Sequence, residues 1–454
     1  MSSSSDISFL GNFSSTHPHA GSLLTPRPFA SQPSGETKDA LIHIAIAQVL
    51  PDESGLHADA DDETKAGLEK LELWASAAAE KGADVVVFPE YFLSGATHDL
   101  WRRVREAQRQ QAVRAQQEGS SEMDKQGPSA SEAEGGEKAW IEIIIQVAQK
   151  YDIDIVAGTV VELGTQPHAQ ILADHPVSQL EQPTTDAVDQ HDKIPHRPKK
   201  KHKVSTEADE EQDHEDQLFN TSYYISRRGQ VLHRYTKQNL WHPERKTLLH
   251  SQHQTHPEQH AGPSSTFVIE TKRGTRLRAA MAICWDLAWY SRFYQMISPP
   301  YAADQVSDLD RTGQAPGPDV IFAPTCWYAS DGGAKALLWN GVGEAQMLDT
   351  LCLARAVELE AVLVMCNVSG PKLDAGRIEE VRNALERQHD EGVSDEDLEV
   401  PLVGLGRSRI CAPFLNVVAE VPDERQVMLL QSVDLNLLID AREMYRMRYD
   451  HAQR

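Results

Sequence analysis

Short apolar runs set the strongest constraint on this chain. They are rich in β-branched residues and alternate with segments of helical periodicity. The first run is Leu41-Ile42-His43-Ile44-Ala45-Ile46-Ala47-Gln48-Val49, and Asp84-Val85-Val86-Val87-Phe88 follows it. Further strand-like runs lie at 153–161, 218–226, 230–235, 266–270, 277–283, 319–323, 361–367, 408–412, 416–420 and 427–435. Helical patterns fall between them. Leu68, Leu71, Ala75 and Ala78 share one face over residues 63–80, and Gly82 is placed to end that helix. Residues 139–151 and 344–360 also read as helices. Strands alternate with helices in the middle of the chain and pair as hairpins elsewhere, with Arg227-Arg228-Gly229 as one hairpin turn. This pattern predicts an α/β protein built in layers with mixed sheets.

Polar tracts bound the core. Residues 1–38 are rich in Ser, Pro, Gly and His, and are expected to be disordered. The ordered domain is expected over 39–440, with surface insertions near 105–137, 164–216 and 372–401, the last partly helical, and a tail at 441–454. The second insertion contains no Phe, Trp or Tyr and cannot build a core of its own.

Charge and cysteine usage exclude several functions. The formal net charge is −24, the reverse of what a phosphate backbone attracts, so nucleic acid is not an expected partner. No apolar stretch reaches 18 residues, so no membrane span is expected. Cys284, Cys326, Cys352, Cys366 and Cys411 are odd in number and form no C-x-x-C pair, which argues against a disulfide framework or a zinc ribbon. They suit a reducing compartment, and the cytoplasm is the expected location. The run Pro198-Lys199-Lys200-Lys201-His202-Lys203 resembles a monopartite nuclear-import signal, which would add the nucleus; a solvated basic linker is the other reading. Most of the 19 histidines lie in polar tracts, and Pro257 between His256 and His260 opposes a helical ligand pair, so no metal is expected.

Three segments carry reactive groups, each just past an apolar strand. Glu90 follows Phe88-Pro89, where burial would raise its pKa and suit it to act as a base. Cys284 stands in Ile283-Cys284-Trp285-Asp286, a place for a tight strand-to-helix turn that presents sulfur beside backbone N–H groups. Lys237 ends Arg234-Tyr235-Thr236-Lys237, where it could enter a cleft as a fixed positive charge, with Glu244 placed to orient it. Taken singly, each has an ordinary alternative: a loop carboxylate, an inert core thiol, a solvated basic loop.

Taken in order, these segments resemble the carbon–nitrogen hydrolase (nitrilase-like) family, whose members carry a Glu–Lys–Cys triad. Arg355-Ala356-Val357-Glu358 with Asn367 and Gly370, and Gly406 and Ser408 with Pro413, resemble the family's later helix, strand and loop. The resemblance spans roughly residues 40–100, 138–163 and 217–435. It departs at Asn239, where the family often has His, and in the long insertions. The resemblance implies a four-layer α-β-β-α sandwich, a homo-oligomer and a small-molecule amide or nitrile substrate. It also implies hydrolysis through a Cys284 thioester, with Glu90 as proton carrier and no metal or organic cofactor. Lys237 and the Trp285 N–H would hold the oxyanion, and Glu244 would position substrate or lysine. Cys-Trp-Asp resembles the amidase side of the family, where nitrilases commonly have Cys-Trp-Glu. A true nitrilase and a non-catalytic binding protein that keeps the fold are the alternatives. Tyr91, Trp285, Trp289, Trp327 and Tyr328 are candidate pocket walls.

Overall fold

The computed structural model of the chain describes residues 7–13, 40–50, 60–103, 105–106, 140–163, 217–251, 266–298, 306–311, 313–372, 374–391 and 400–453. Two β-sheets form its centre. The first has eight strands. Its path runs β1 (Phe9–Asn12), β14 (Val427–Asp434), β2 (Leu41–Gln48), β3 (Val85–Val87), β4 (Asp154–Val156), β6 (Leu218–Ile225) and β5 (Val160–Leu163), with β7 (Val231–Thr236) also pairing with β6. The second has six strands in the order β13 (Asn416–Glu420), β12 (Arg409–Ala412), β11 (Val362–Asn367), β10 (Val320–Thr325), β9 (Arg276–Met281) and β8 (Phe267–Glu270).

Alternation along the strands gives the layering. Ile42, Ile44 and Ile46 of β2, with Val85 and Val87 of β3, pack in the core shared with the second sheet. Their neighbours Ala45, Ala47 and Val86 pack instead with Leu71, Ala75 and Ala78 of helix α1 (Ala60–Glu80) and Ile141, Ile144 and Ala148 of α2 (Trp140–Tyr151). The period of two sends alternate side chains to opposite faces. Because both faces are covered, the strands read as continuous apolar runs. The outer layer of the second sheet includes α5 (Gly343–Glu358) and α7 (Asn436–Tyr445), which bury Leu348, Cys352, Ala356 and Leu438. The result is the expected α-β-β-α sandwich. Smaller helices α3 (Tyr290–Met296), α4 (Gly333–Trp339), α6 (Ala375–Glu391) and α8 (Met447–Ala452) decorate it. Among the described residues, no helix is long and apolar enough to cross a membrane.

Strand direction prepares the functional end. β2, β3 and β4 are parallel to one another, β7 runs with them through two antiparallel pairings, and β9, β10 and β11 are mutually parallel. Loops at the carboxyl ends of co-directional strands are where an α/β layer gathers ligand-binding groups.

The structure corrects three sequence expectations. Within residues 1–38, Phe9–Asn12 form β1, parallel to β14, and Phe13 stacks on His43 with ring centroids 4.6 Å apart. So short a strand depends on a sheet edge that only the folded chain supplies. Residues 153–161 are not one strand: Gly158, at φ +70°, divides β4 from β5. The segment 441–454 is not a loose tail over its described part. It completes α7 and forms α8, where Arg442 donates to Asp319 at 2.7 Å and Arg448 donates to the Leu359 carbonyl at 2.6 Å. Both guanidinium groups are buried, and the cations satisfy polar groups that packing would otherwise strand. The third charged tract, expected to be partly helical, holds helix α6 at 375–391, and residues 400–405 return to the body of the protein. Apart from residues 105 and 106, the tracts near 105–137 and 164–216 lie outside the described residues, as does the basic run at 198–203.

Candidate active site

Glu90 leaves β3 through Pro89, and the next residue, Tyr91, adopts φ 59° and turns the chain sharply. Gly158 makes this turn possible: a Cβ at residue 158 would lie 2.1 Å from the Pro89 carbonyl oxygen. The Tyr91 N–H donates to Thr159 Oγ1 at 2.8 Å, which ties the glutamate loop to the neighbouring strand connection.

Cys284 opens a 3₁₀ turn, Cys284–Ala288, directly after β9, with φ 43°. A non-glycine residue in the left-handed region costs free energy and persists only where its surroundings over-determine it. Asp286 supplies those surroundings. Its Oδ2 accepts from the Ile283 N–H at 3.0 Å and the Tyr235 hydroxyl at 2.7 Å. Its Oδ1 accepts from the Asn239 N–H at 2.9 Å and Asn239 Nδ2 at 2.8 Å. The departure at Asn239 therefore has a use: it binds the lysine loop to the cysteine turn. Arg292 donates to the Tyr235 hydroxyl at 2.9 Å, and Arg355 donates to the Leu287 carbonyl at 3.1 Å, fixing the turn from outside.

Lys237 follows β7, and its Nζ lies 2.8 Å from Glu90 Oε1 and 2.7 Å from Glu244 Oε1. Glu244 sits in the 3₁₀ turn His242–Lys246 and accepts from the Tyr91 hydroxyl and from the Trp241 N–H, the latter at 2.6 Å. Glu90 is held at both oxygens. Oε1 accepts from Lys237 and, at 2.8 Å, from Asn220 Nδ2; Oε2 accepts from the Cys326 N–H at 3.0 Å. The Cys284 thiol is near enough to the Glu90 carboxylate for each to shift the other's ionisation. The sulfur also lies 3.9 Å from the Cys326 carbonyl oxygen.

Burial dominates the electrostatics. It pushes Glu90 up to about 7, with Lys237 opposing and Glu244 adding to the rise. Burial and then Glu90 push the Cys284 thiol above the ordinary range, against the pull of Lys237. Burial alone would discharge Lys237, but Glu244 and Glu90 outweigh it and hold the ammonium well above its usual range. The resting site therefore pairs a neutral thiol with a carboxylate that titrates near neutrality. Such a pair is suited to pass a proton between sulfur and carboxylate.

Glu90, Lys237, Glu244 and Cys284 line one cavity of about 280 Å³, and Cys284 keeps 7% of its surface accessible. The expected wall residues Tyr91, Trp285, Trp327 and Tyr328 line it too. Trp289 does not: it stands 44% exposed, past the end of the 3₁₀ turn. Trp327 is fixed by Asn367, whose Oδ1 accepts from the Trp327 N–H at 2.8 Å and whose Nδ2 donates to the Trp327 and Gly406 carbonyls at 2.9 and 2.7 Å. Sequence reasoning missed Trp101, Trp241 and Asp331 in the walls, and Asn220 behind Glu90. For Asn220 a signal existed, since an amide inside a wholly buried strand requires a partner. Among the described residues, no group of three or more His, Cys, Asp or Glu is arranged to hold a metal ion.

A family model described as carbon-nitrogen hydrolase matches residues 44–201, a span that includes Glu90 and ends before Lys237 and Cys284. No curated protein matches the chain. Among solved structures, a carbon-nitrogen hydrolase from Helicobacter pylori G27 is similar with a TM-score of 0.50 at 12% identity, covering 91% of this chain and 96% of that one. Saccharomyces cerevisiae Nit3, a member of branch 10 of the nitrilase superfamily, gives a TM-score of 0.48 at 16% identity, covering 89% and 94%. An amidase from Nesterenkonia sp. gives 0.45 at 17% identity, covering 91% and 98%. At 12% identity the first likeness shows a shared fold and nothing about substrate.

Proposed function

Because the chain belongs to the carbon–nitrogen hydrolase family, we propose that it cleaves a non-peptide amide through a thioester on Cys284. One arrangement carries the reading: a buried carboxylate, hydrogen-bonded to a lysine ammonium at 2.8 Å, lines the same cavity as a cysteine thiol.

The steps follow from the proton inventory. Glu90 takes the thiol proton as sulfur bonds to the amide carbon, and the carbonyl electron pair moves to oxygen. An ammonium has three donors, and two of those of Lys237 serve Glu90 and Glu244. The third is left for the oxyanion, together with the Trp285 N–H at the start of the 3₁₀ turn. Glu90 then returns its proton to the leaving nitrogen, the C–N bond breaks, and ammonia or an amine departs. Water attacks the thioester with Glu90 again as base, and the carboxylic acid leaves as the thiol re-forms. Glu244 and Tyr91 keep the lysine aimed, and Trp285 and Trp327 bound the acyl portion. The cavity volume suits a small molecule.

Ammonia release from matched amide and nitrile panels tests this reading. Amides should turn over faster, and Cys284→Ala should abolish turnover with the fold intact by circular dichroism. Equal or faster nitrile turnover would make the protein a nitrilase. Activity that survives Cys284→Ala would remove the mechanism, and no turnover of either class would favour a binding protein that keeps the fold.

A further inference from the structure

The cavity wall contains a carboxyl group that the proposed chemistry does not use. Asp331 closes the turn after β10: its Oδ2 accepts from the Tyr328 N–H at 2.9 Å, and its own N–H donates to the Tyr328 carbonyl at 3.2 Å. Its Oδ1 has no hydrogen bond, and no cation pairs with it, among the described residues. The contrast with Glu90 and Glu244 is direct, since those two share the Lys237 ammonium. Burial pushes Asp331 up to about 8 against the Tyr328 N–H, with Glu344, Glu90 and Glu244 adding to the rise. His98 does not supply the missing charge. It bonds Thr247 Oγ1 at 2.7 Å, and burial with Arg102 and Lys246 pushes its pKa below the ordinary range.

Aromatic rings bound the same space. Trp241 and Trp285 have centroids 4.4 Å apart, Trp285 and Trp327 5.4 Å, and Tyr91 and Trp101 4.9 Å. The Trp327 indole N–H donates to Glu344 Oε2 at 2.7 Å, which fixes this wall and sets a further carboxylate behind it. Ring faces attract cations, and a half-buried carboxylate without a counter-charge is stabilised by one. A carboxylate-bearing ligand would meet Asp331, Glu90 and Glu244, and among the described lining residues Lys237 is the one lysine or arginine to offset them.

We infer that the substrate is an amide carrying a primary or substituted ammonium group, which pairs with Asp331 against the tryptophan walls while the amide carbon reaches Cys284. The inference rests on the amide-hydrolase reading and names its substrate class.

The test compares γ-aminobutanamide, δ-aminopentanamide and ε-aminohexanamide with butanamide, pentanamide and hexanamide. Ammonia release is measured with the wild-type and Asp331→Asn proteins, and calorimetric binding with Cys284→Ala and its Asp331→Asn double variant. At least one amino amide should exceed its neutral counterpart roughly 30-fold or more in kcat/KM, chiefly through KM. Asp331→Asn, which can still accept from the Tyr328 N–H, should bring that ratio near one, and binding to Cys284→Ala should show the same preference and the same loss. Neutral amides equal to or better than cationic ones, or a preference that survives Asp331→Asn, would overturn the inference and leave amide hydrolysis standing. Asp331-dependent binding of an amino amide without any turnover would support the cation site and overturn the hydrolase reading. Neither binding nor turnover would overturn both.

Discussion

Replacing Lys237 with Met keeps the side chain's length and removes its charge. The ammonium lies 2.8 and 2.7 Å from two carboxylate oxygens, and all three groups are buried. At an effective dielectric of ~20, each contact is worth roughly 6 kcal/mol in Coulomb terms. Desolvation offsets much of this, and removing one partner from a buried ion pair costs about 3–5 kcal/mol net. The variant can escape part of that cost by keeping a proton on the carboxylate pair, which makes the penalty depend on pH. A carboxyl whose folded pKa is raised contributes stability that is complete below its unfolded pKa and is lost as pH rises through the folded value. Glu90 already sits near 7 with the lysine present, and loss of the lysine moves it higher. Each extra proton retained by the folded variant steepens the loss by about 1.4 kcal/mol per pH unit. Wild-type Glu90 already keeps its proton up to about 7, so between about pH 5.5 and pH 8 the stability gap between wild type and Lys237→Met should widen by about 1.4 kcal/mol. Urea unfolding followed by tryptophan fluorescence at the two pH values measures it. A gap that is constant or narrows as pH rises would refute this account of the buried triad.

Glu90→Gln should lower kcat by about 10²- to 10⁴-fold, the usual worth of a general base. In the wild type, kcat/KM should rise with pH through about 7 as Glu90 ionises, and the residual activity of the variant should lack that limb. Asp286→Ala should lower kcat/KM by about 10²-fold through a displaced sulfur; steady-state assays check this, while the thermal midpoint tracks the fold. Arg442→Met should destabilise the protein by about 3–5 kcal/mol in urea unfolding, because it leaves Asp319 buried without that partner.

The reactive residues were legible because each follows a short apolar strand that burial makes conspicuous. Glu90 after Val85–Val87, Lys237 after Val231–Thr236 and Cys284 after Arg276–Met281 sit where parallel strand direction collects loops. Their convergence was legible only through the resemblance, since no local pattern brings residue 90 to residue 284. Gly158 was readable in principle, because a glycine inside an apolar run marks a break or a close approach. Strand β1 was not, because its pairing with Val427–Asp434 is entirely long-range. Asp331 and Trp241 lie in loops whose local sequence carries no sign of the cavity they face. Trp289 shows the converse error: as an aromatic near a strand end it reads as a wall candidate, but the 3₁₀ turn directs the chain to the surface.

The proposed reaction passes through a covalent bond to one sulfur. Acid quench during turnover of an amide substrate, followed by intact-protein and peptide mass spectrometry, reads that bond directly. The expected result is a mass gain equal to the acyl group, confined to the peptide holding Cys284, discharged by hydroxylamine and absent from Cys284→Ala. Steady ammonia release from the amide with Cys284 unmodified, or with the acyl group on another residue, would contradict the account.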